Sequence, residues 1–138
     1  MIRVARILLA PYLVVVLLLT WLPAEDAGKV TGIVATVAHG LEGLVPFEVG
    51  YPILEFLANV AMFMPLGALT AVAWPRLNAG WIIGAGAVFS TVIELVQLTM
   101  PSRYSTVSDV IANTTGMAVG ALVAVAWRRA RRRRTVRA

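Results

Sequence analysis

The sequence lacks cysteine altogether and has a single histidine, His39, and a single lysine, Lys29, among its 138 residues. The absence of cysteine excludes disulfides, thiol nucleophiles and thiolate metal sites within these residues. One imidazole cannot build a three-histidine zinc site and leaves no spare partner for a Ser-His-Asp triad. We therefore expect no metal, no cofactor and a solvated rather than catalytic His39.

Apolar residues make up 59% of the chain, and the mean hydropathy is +0.83, too apolar for an ordinary soluble domain. Four segments are long enough to cross a hydrocarbon core of about 30 Å. The first three end at a proline, and all four tryptophans fall at segment ends, where indoles favour the headgroup region. The segments are 4–22, 53–74, 79–100 and 109–127. The sequence thus predicts an all-α fold, an integral membrane four-helix bundle in one domain, 1–127, followed by a basic tail, 128–138.

The basic residues are distributed unevenly over the predicted connections. With the N-terminus inside, ten arginines face the cytoplasm and only Lys29 and Arg103 lie outside. This bias predicts a multi-pass membrane protein with both termini cytoplasmic. The alternative, a cleaved signal peptide at the first span, is disfavoured because its apolar stretch is long for one. The arginine run lacks an aromatic or folded recognition module, so we expect no nucleic-acid partner.

Between the first two spans, apolar residues recur at helical spacing. They predict a short amphipathic helix on the outer leaflet, with Thr36, His39 and Glu42 towards water. Its apolar face consists of Ile33, Val34, Val37, Leu41, Leu44 and Val45.

Six polar residues interrupt the last three spans in pairs, three or four residues apart. At 1.5 Å of rise per residue, all six lie within about 10 Å of the outer boundary, level with Arg103 in the loop between the last two spans. Polar groups inside a span are costly, which favours a functional site. The predicted ligand-binding residues are Glu55, Asn59, Glu94, Gln97, Arg103, Asp109 and Asn113.

Each of these residues also has a structural interpretation. Asp109 favours a helix N-terminus, with Thr106 completing a capping arrangement. Glu94, the deepest carboxyl, is expected to be paired, and Arg103 is its candidate partner. The amides of Asn59 and Asn113 are typical of interhelical hydrogen bonds.

The order and spacing of these polar residues and their neighbours resemble the signature of the VanZ-like membrane proteins over about the last two-thirds of the chain. The resemblance implies a small helical multi-span protein of the bacterial cell membrane; the family is named for a member associated with low-level resistance to the lipoglycopeptide teicoplanin. One departure is Thr106, where the family often has Asp, and it weakens a divalent-cation site in this loop. The matching residues are Val45, Pro46, Phe47, Glu55, Asn59, Phe63, Pro65, Leu66, Gly67, Glu94, Gln97, Arg103, Asp109, Asn113, Gly116 and Gly120.

We expect a binding protein of the cell envelope rather than an enzyme. Its expected partner is a membrane amphiphile: a lipid headgroup, a lipid-linked wall precursor or a lipoglycopeptide such as teicoplanin, with a contribution to glycopeptide resistance. The alternative is a membrane-embedded hydrolase or transferase acting on a lipid phosphate, with Glu94 or Asp109 as catalytic residue and Arg103 stabilising charge. A proton-coupled transporter is the third candidate function. Four spans are few for a monomeric transporter, although the sequence allows an oligomer.

Overall fold

Five helices account for nearly all of the chain in the computed structural model. The structure describes residues 1–21, 24–101 and 106–136, with side chains described outside 24–31 and 135–136. In chain order the helices are α1 (Ile2–Trp21), α2 (Ala24–Gly40), α3 (Phe47–Ala73), α4 (Ala79–Gln97) and α5 (Val107–Val136). These described ranges contain no β-strand.

Four of the helices, α1, α3, α4 and α5, are long and apolar enough to cross a membrane. Their outer faces expose large apolar side chains, such as Trp81, Val88 and Leu95 on α4. Such a surface is unfavourable in water and suits lipid. The predicted all-α membrane bundle with an additional helix between the first two spans is confirmed.

The centre of the bundle is the close contact between α3 and α5. Gly116 and Gly120 of α5 lie against the backbone of α3, and Gly67 of α3 lies against the backbone at Met117 of α5. A Cβ atom at any of these glycines would overlap a carbonyl oxygen of the facing helix. Small residues at an interface let helix backbones approach closely. The sequence of α5 has a small residue at every fourth position, Ala112, Gly116, Gly120 and Ala124, and all four are buried.

Two arginines fix the relative position of the helix ends. Arg6 Nε of α1 donates to the Ala73 carbonyl at 3.2 Å, and Arg128 Nη1 of α5 donates to the Ala71 carbonyl at 2.8 Å. Both carbonyls lie in the last turn of α3, where a helix leaves acceptors without intrahelical partners. The start of α1, the end of α3 and the arginine-rich part of α5 therefore share one end of the bundle, which we call the arginine end.

Several helix boundaries differ from the predicted spans. α3 begins at Phe47 rather than 53 and continues through Pro52, which lacks the N–H that would bond the Glu48 carbonyl. α4 ends at Gln97, three residues before the predicted end. α5 continues past residue 127 to Val136, so most of the predicted basic tail is helical. A span is limited by lipid thickness, whereas a helix can extend beyond the membrane into water.

The amphipathic segment is a longer helix that ends earlier than predicted. α2 ends at Gly40, and Leu41 to Leu44 form turns, so the predicted apolar positions 41, 44 and 45 lie outside the helix. Glycines at 40 and 43 are poor helix formers and account for this end. His39 is exposed, as predicted; it bonds the Glu42 carboxylate at 2.8 Å, and its ring stacks on Phe47.

Candidate functional site

At the end opposite the arginines, Thr106 connects two carboxylates from different helices. Its backbone N–H donates to Glu94 Oε2 of α4 at 3.1 Å, and its hydroxyl donates to Asp109 Oδ2 of α5 at 2.8 Å. The same hydroxyl accepts from the Asp109 N–H at 3.2 Å, which is the N-cap of α5. The predicted capping arrangement therefore forms, and it also ties α5 to the end of α4.

The third helix of the cluster is α3, through Asn59. Its Nδ2 donates to Asp109 Oδ1 at 2.7 Å, so both carboxylate oxygens of Asp109 accept hydrogen bonds. Tyr51, Glu55 and Asn59 follow one another at four-residue spacing on one face of α3. The phenol of Tyr51 lies within electrostatic range of both Glu55 and Asp109. Glu55 itself is exposed.

Glu94 is the most buried of the described carboxyls, with 6% of its surface exposed. Burying a carboxylate is costly unless hydrogen bonds or charges compensate it. Its bond from Thr106 supplies part of that compensation. We call Asn59, Glu94, Thr106 and Asp109 the polar cluster.

The other two predicted amides lie beside the polar cluster and have different partners. Gln97 is buried and donates from Nε2 to the Thr20 carbonyl at 2.8 Å, joining α4 to the end of α1. Asn113, one turn below Asp109, donates from Nδ2 to Ser90 Oγ at 2.9 Å, and both residues are fully buried. These contacts are of the interhelical type expected for amides in a bundle.

Two buried side-chain oxygens on α5, Asn113 Oδ1 and Thr114 Oγ1, have no hydrogen-bond partner among the residues that the structure describes. Orphaned polar atoms are rare in a bundle interior because each one costs free energy. Asn113 thus keeps an acceptor directed into the protein one turn below the carboxylates.

The structure therefore brings together three of the seven predicted site residues, Asn59, Glu94 and Asp109. Gln97 and Asn113 neighbour them, Glu55 lies one turn before Asn59 on α3, and Arg103 lies outside the described residues. The proposed Glu94–Arg103 ion pair also falls outside that range. A role of these seven residues in ligand binding stays a prediction.

Sequence reasoning assigned no site role to Thr106, Ser90 or Tyr51. Ser90 precedes Glu94 by four residues and Tyr51 precedes Glu55 by four, so each shares a helical face with a predicted residue. That spacing could have identified Ser90 and Tyr51 from the sequence. No sequence pattern predicts the bond from the Thr106 N–H to Glu94, because it depends on how α5 is placed against the end of α4.

The chemistry available at the polar cluster is that of hydrogen-bond acceptors. Its two carboxylates, with Glu55 nearby, attract ammonium groups and hydroxyl or amide donors. Among the described residues no group of three or more His, Asp or Glu side chains is arranged to hold a metal ion. An aromatic row leads towards the cluster: the rings of His39 and Phe47 lie 4.4 Å apart, and those of Phe47 and Tyr51 5.4 Å apart.

Comparison with known proteins places this arrangement in a family. No curated protein and no solved structure shows significant similarity to the chain. The model of the VanZ/LLP1 family matches residues 9–128. The match covers α3 and α4 in full, α1 from residue 9, α5 up to residue 128, and every residue of the polar cluster. The chain therefore belongs to the VanZ/LLP1 family of membrane proteins.

Proposed function

We propose that the protein recognises the polar headgroup of an amphiphile in the outer leaflet, and that the polar cluster is the binding site. The observation that carries this proposal is the meeting of Asn59, Glu94 and Asp109, from three different helices, around Thr106. One polar residue on one helix is explained by packing. Two carboxylates gathered at one end of a membrane bundle are costly and call for a ligand.

The chemistry of the cluster narrows the ligand class. Carboxylate acceptors suit sugar hydroxyls, amide N–H groups and ammonium groups. The flat rings of Phe47 and Tyr51 offer an apolar surface beside those acceptors. Lipid-linked saccharide precursors of the wall and lipoglycopeptides such as teicoplanin combine such headgroups with an acyl or prenyl chain. Binding of either kind would contribute to glycopeptide resistance.

The direct test measures binding of teicoplanin and of a short-chain lipid-linked disaccharide to the purified full chain. Glu94→Gln and Asp109→Asn remove a charged acceptor, and each is expected to weaken binding about tenfold or more. Glu48→Gln is the matched control, because Glu48 is exposed in the first turn of α3, outside the cluster. Susceptibility of expressing cells to teicoplanin is measured in parallel at equal protein levels.

The proposal is wrong if the cluster variants bind both probes as tightly as the wild type and the Glu48→Gln control. A glycopeptide without an acyl chain should bind more weakly than teicoplanin. Equal affinity for the two would show that the acyl chain does not contribute to binding, which contradicts an amphiphile as the ligand.

A second function, hydrolysis or transfer at a lipid phosphate, is favoured by one observation. Thr106 forms hydrogen bonds with both Glu94 and Asp109. In such a pair, one carboxyl can act as a general acid and the other as a general base. The expected result is turnover of a radiolabelled lipid phosphate by the purified protein, abolished by Glu94→Gln. Absence of turnover across phospholipid and prenyl-phosphate substrates, with and without divalent cations, would exclude it.

A further inference from the structure

A cavity of about 570 Å³ lies at the arginine end, far along the bundle from the polar cluster. Its walls are the connection between α3 and α4, from Pro75 to Ala79, and the face of α5 from Leu122 to Arg132. A volume of this size is typical of small-molecule sites.

Three guanidinium groups line one side of this cavity: Arg128, Arg129 and Arg132. The first and last are four residues apart and so share a face of α5. Arg128 is held in place by its bond to the Ala71 carbonyl, and a guanidinium has five N–H donors, so it retains capacity for another acceptor. Planar forks of this kind match phosphate oxygens.

The segments that line the cavity contain no acidic residue. The sequence contains no Asp or Glu between Glu55 and Glu94, and none after Asp109. The start of α4 adds its dipole, since Asn78 caps this 19-residue helix and lines the cavity. Three neighbouring cations repel one another, and an anion between them relieves that repulsion.

Apolar side chains complete the lining, which distinguishes a lipid from a free ion. Leu122 and Val125 precede the arginines on α5, towards the membrane core, and Leu77 lies on the connection between α3 and α4. Trp74 and Trp127 are half-exposed just beside it, at the depth where indoles lie among headgroups. A ligand that fills the cavity therefore meets arginines at one side and acyl-chain surface at the other.

We propose that this cavity binds the phosphate headgroup of an anionic glycerophospholipid from the leaflet at the arginine end. Basic pockets between membrane helices are suited to such headgroups. The site is separate from the polar cluster in both position and charge.

The test uses the full chain reconstituted in vesicles of phosphatidylcholine with increasing brominated phosphatidylglycerol. Bromine quenches nearby indoles, and Trp74, Trp81 and Trp127 all lie at the arginine end; a Trp21→Phe background removes the signal from the opposite end. Quenching should saturate at a low fraction of the anionic lipid. The double variant Arg129→Gln/Arg132→Gln should need at least about fivefold more of it.

The matched control is Arg133→Gln/Arg134→Gln, which removes the same charge from arginines that do not line the cavity. It should shift quenching much less than the cavity pair. Equal shifts for the two pairs would reduce the site to general surface attraction and overturn the proposal, as would no shift for either. If inorganic phosphate at about 10 mM, an ordinary buffer concentration, displaced the lipid, the lipid assignment would be overturned. Unfolding midpoints of all variants in detergent verify that both pairs remain folded.

Discussion

At the residue scale, the common level of the polar residues along the bundle was predictable, and their side-chain partners were only partly so. Rise per residue and the direction of each span place Asn59, Glu94 and Asp109 at one level, and the structure joins them. Gln97 shares that level but turns to the Thr20 carbonyl of α1. The direction in which a side chain points depends on the rotation of its helix about its own axis, which packing decides. Sequence periodicity does not fix that rotation between helices.

Thr106 gives the sharpest prediction at this scale, because its hydroxyl and its N–H have separate partners. Thr106→Val keeps the N–H bond to Glu94 and removes the hydroxyl bonds to Asp109. The loss of an N-cap costs about 1 kcal/mol, so the free energy of unfolding should fall by about 1 to 2 kcal/mol. Titration of the protein in mild detergent with sodium dodecyl sulfate, followed by circular dichroism, measures it.

Thr106→Ser is the control for that variant, since serine retains the capping hydroxyl. It should unfold within about 0.5 kcal/mol of the wild type. If valine and serine have the same effect, the hydroxyl does not stabilise α5.

At the element scale, the stripe of small residues on α5 predicted a close helix contact but not its partner. Gly116 and Gly120 face α3 rather than α4, and Gly67 of α3 packs against the backbone of α5. The choice follows from how the loops place the helices, which local spacing does not encode. The end of α2 at Gly40 is a second case: an apolar periodicity continues to Val45, yet glycine's low helix propensity ends the helix first.

The α3–α5 contact can be tested with a single methyl group. Gly120→Ala places a Cβ against the Met64 carbonyl and the Ala68 amide, both backbone atoms that cannot move aside without separating the helices. Overpacking of this kind typically costs about 1 to 3 kcal/mol, and we expect that loss in the free energy of unfolding. The same detergent titration measures it.

Gly84→Ala is the matched control, because a Cβ at this position of α4 meets nothing within 4 Å. Alanine also favours a helix over glycine by about 1 kcal/mol, so this variant should be as stable as the wild type or more so. A Gly120→Ala protein as stable as Gly84→Ala would show that the helices are not in close contact.

At the scale of the whole molecule, charge divides the bundle into two ends. The described carboxylates Glu42, Glu48, Glu55, Glu94 and Asp109 lie at the end of the polar cluster, and Arg6, Arg76 and the arginines of α5 at the other. This separation was predictable, because charge counts per connection need only the order of the spans. The cavity at the arginine end was not, since it depends on how the connection between α3 and α4 packs against α5.

The separation of charge predicts which end faces the cytoplasm, and the natural absence of cysteine makes the test simple. Glu48→Cys and Arg76→Cys place single thiols at exposed positions at the two ends of α3, and Arg134→Cys marks the end of α5. The positive-inside rule predicts that a membrane-impermeant maleimide labels Glu48→Cys in intact cells, and labels the other two only after the membrane is opened. Labelling in the reverse pattern would invert the orientation and move the polar cluster to the cytoplasmic leaflet. Equal labelling of the first two thiols in intact cells would mean that α3 does not cross the membrane, because its 27 residues at 1.5 Å each extend over about 40 Å.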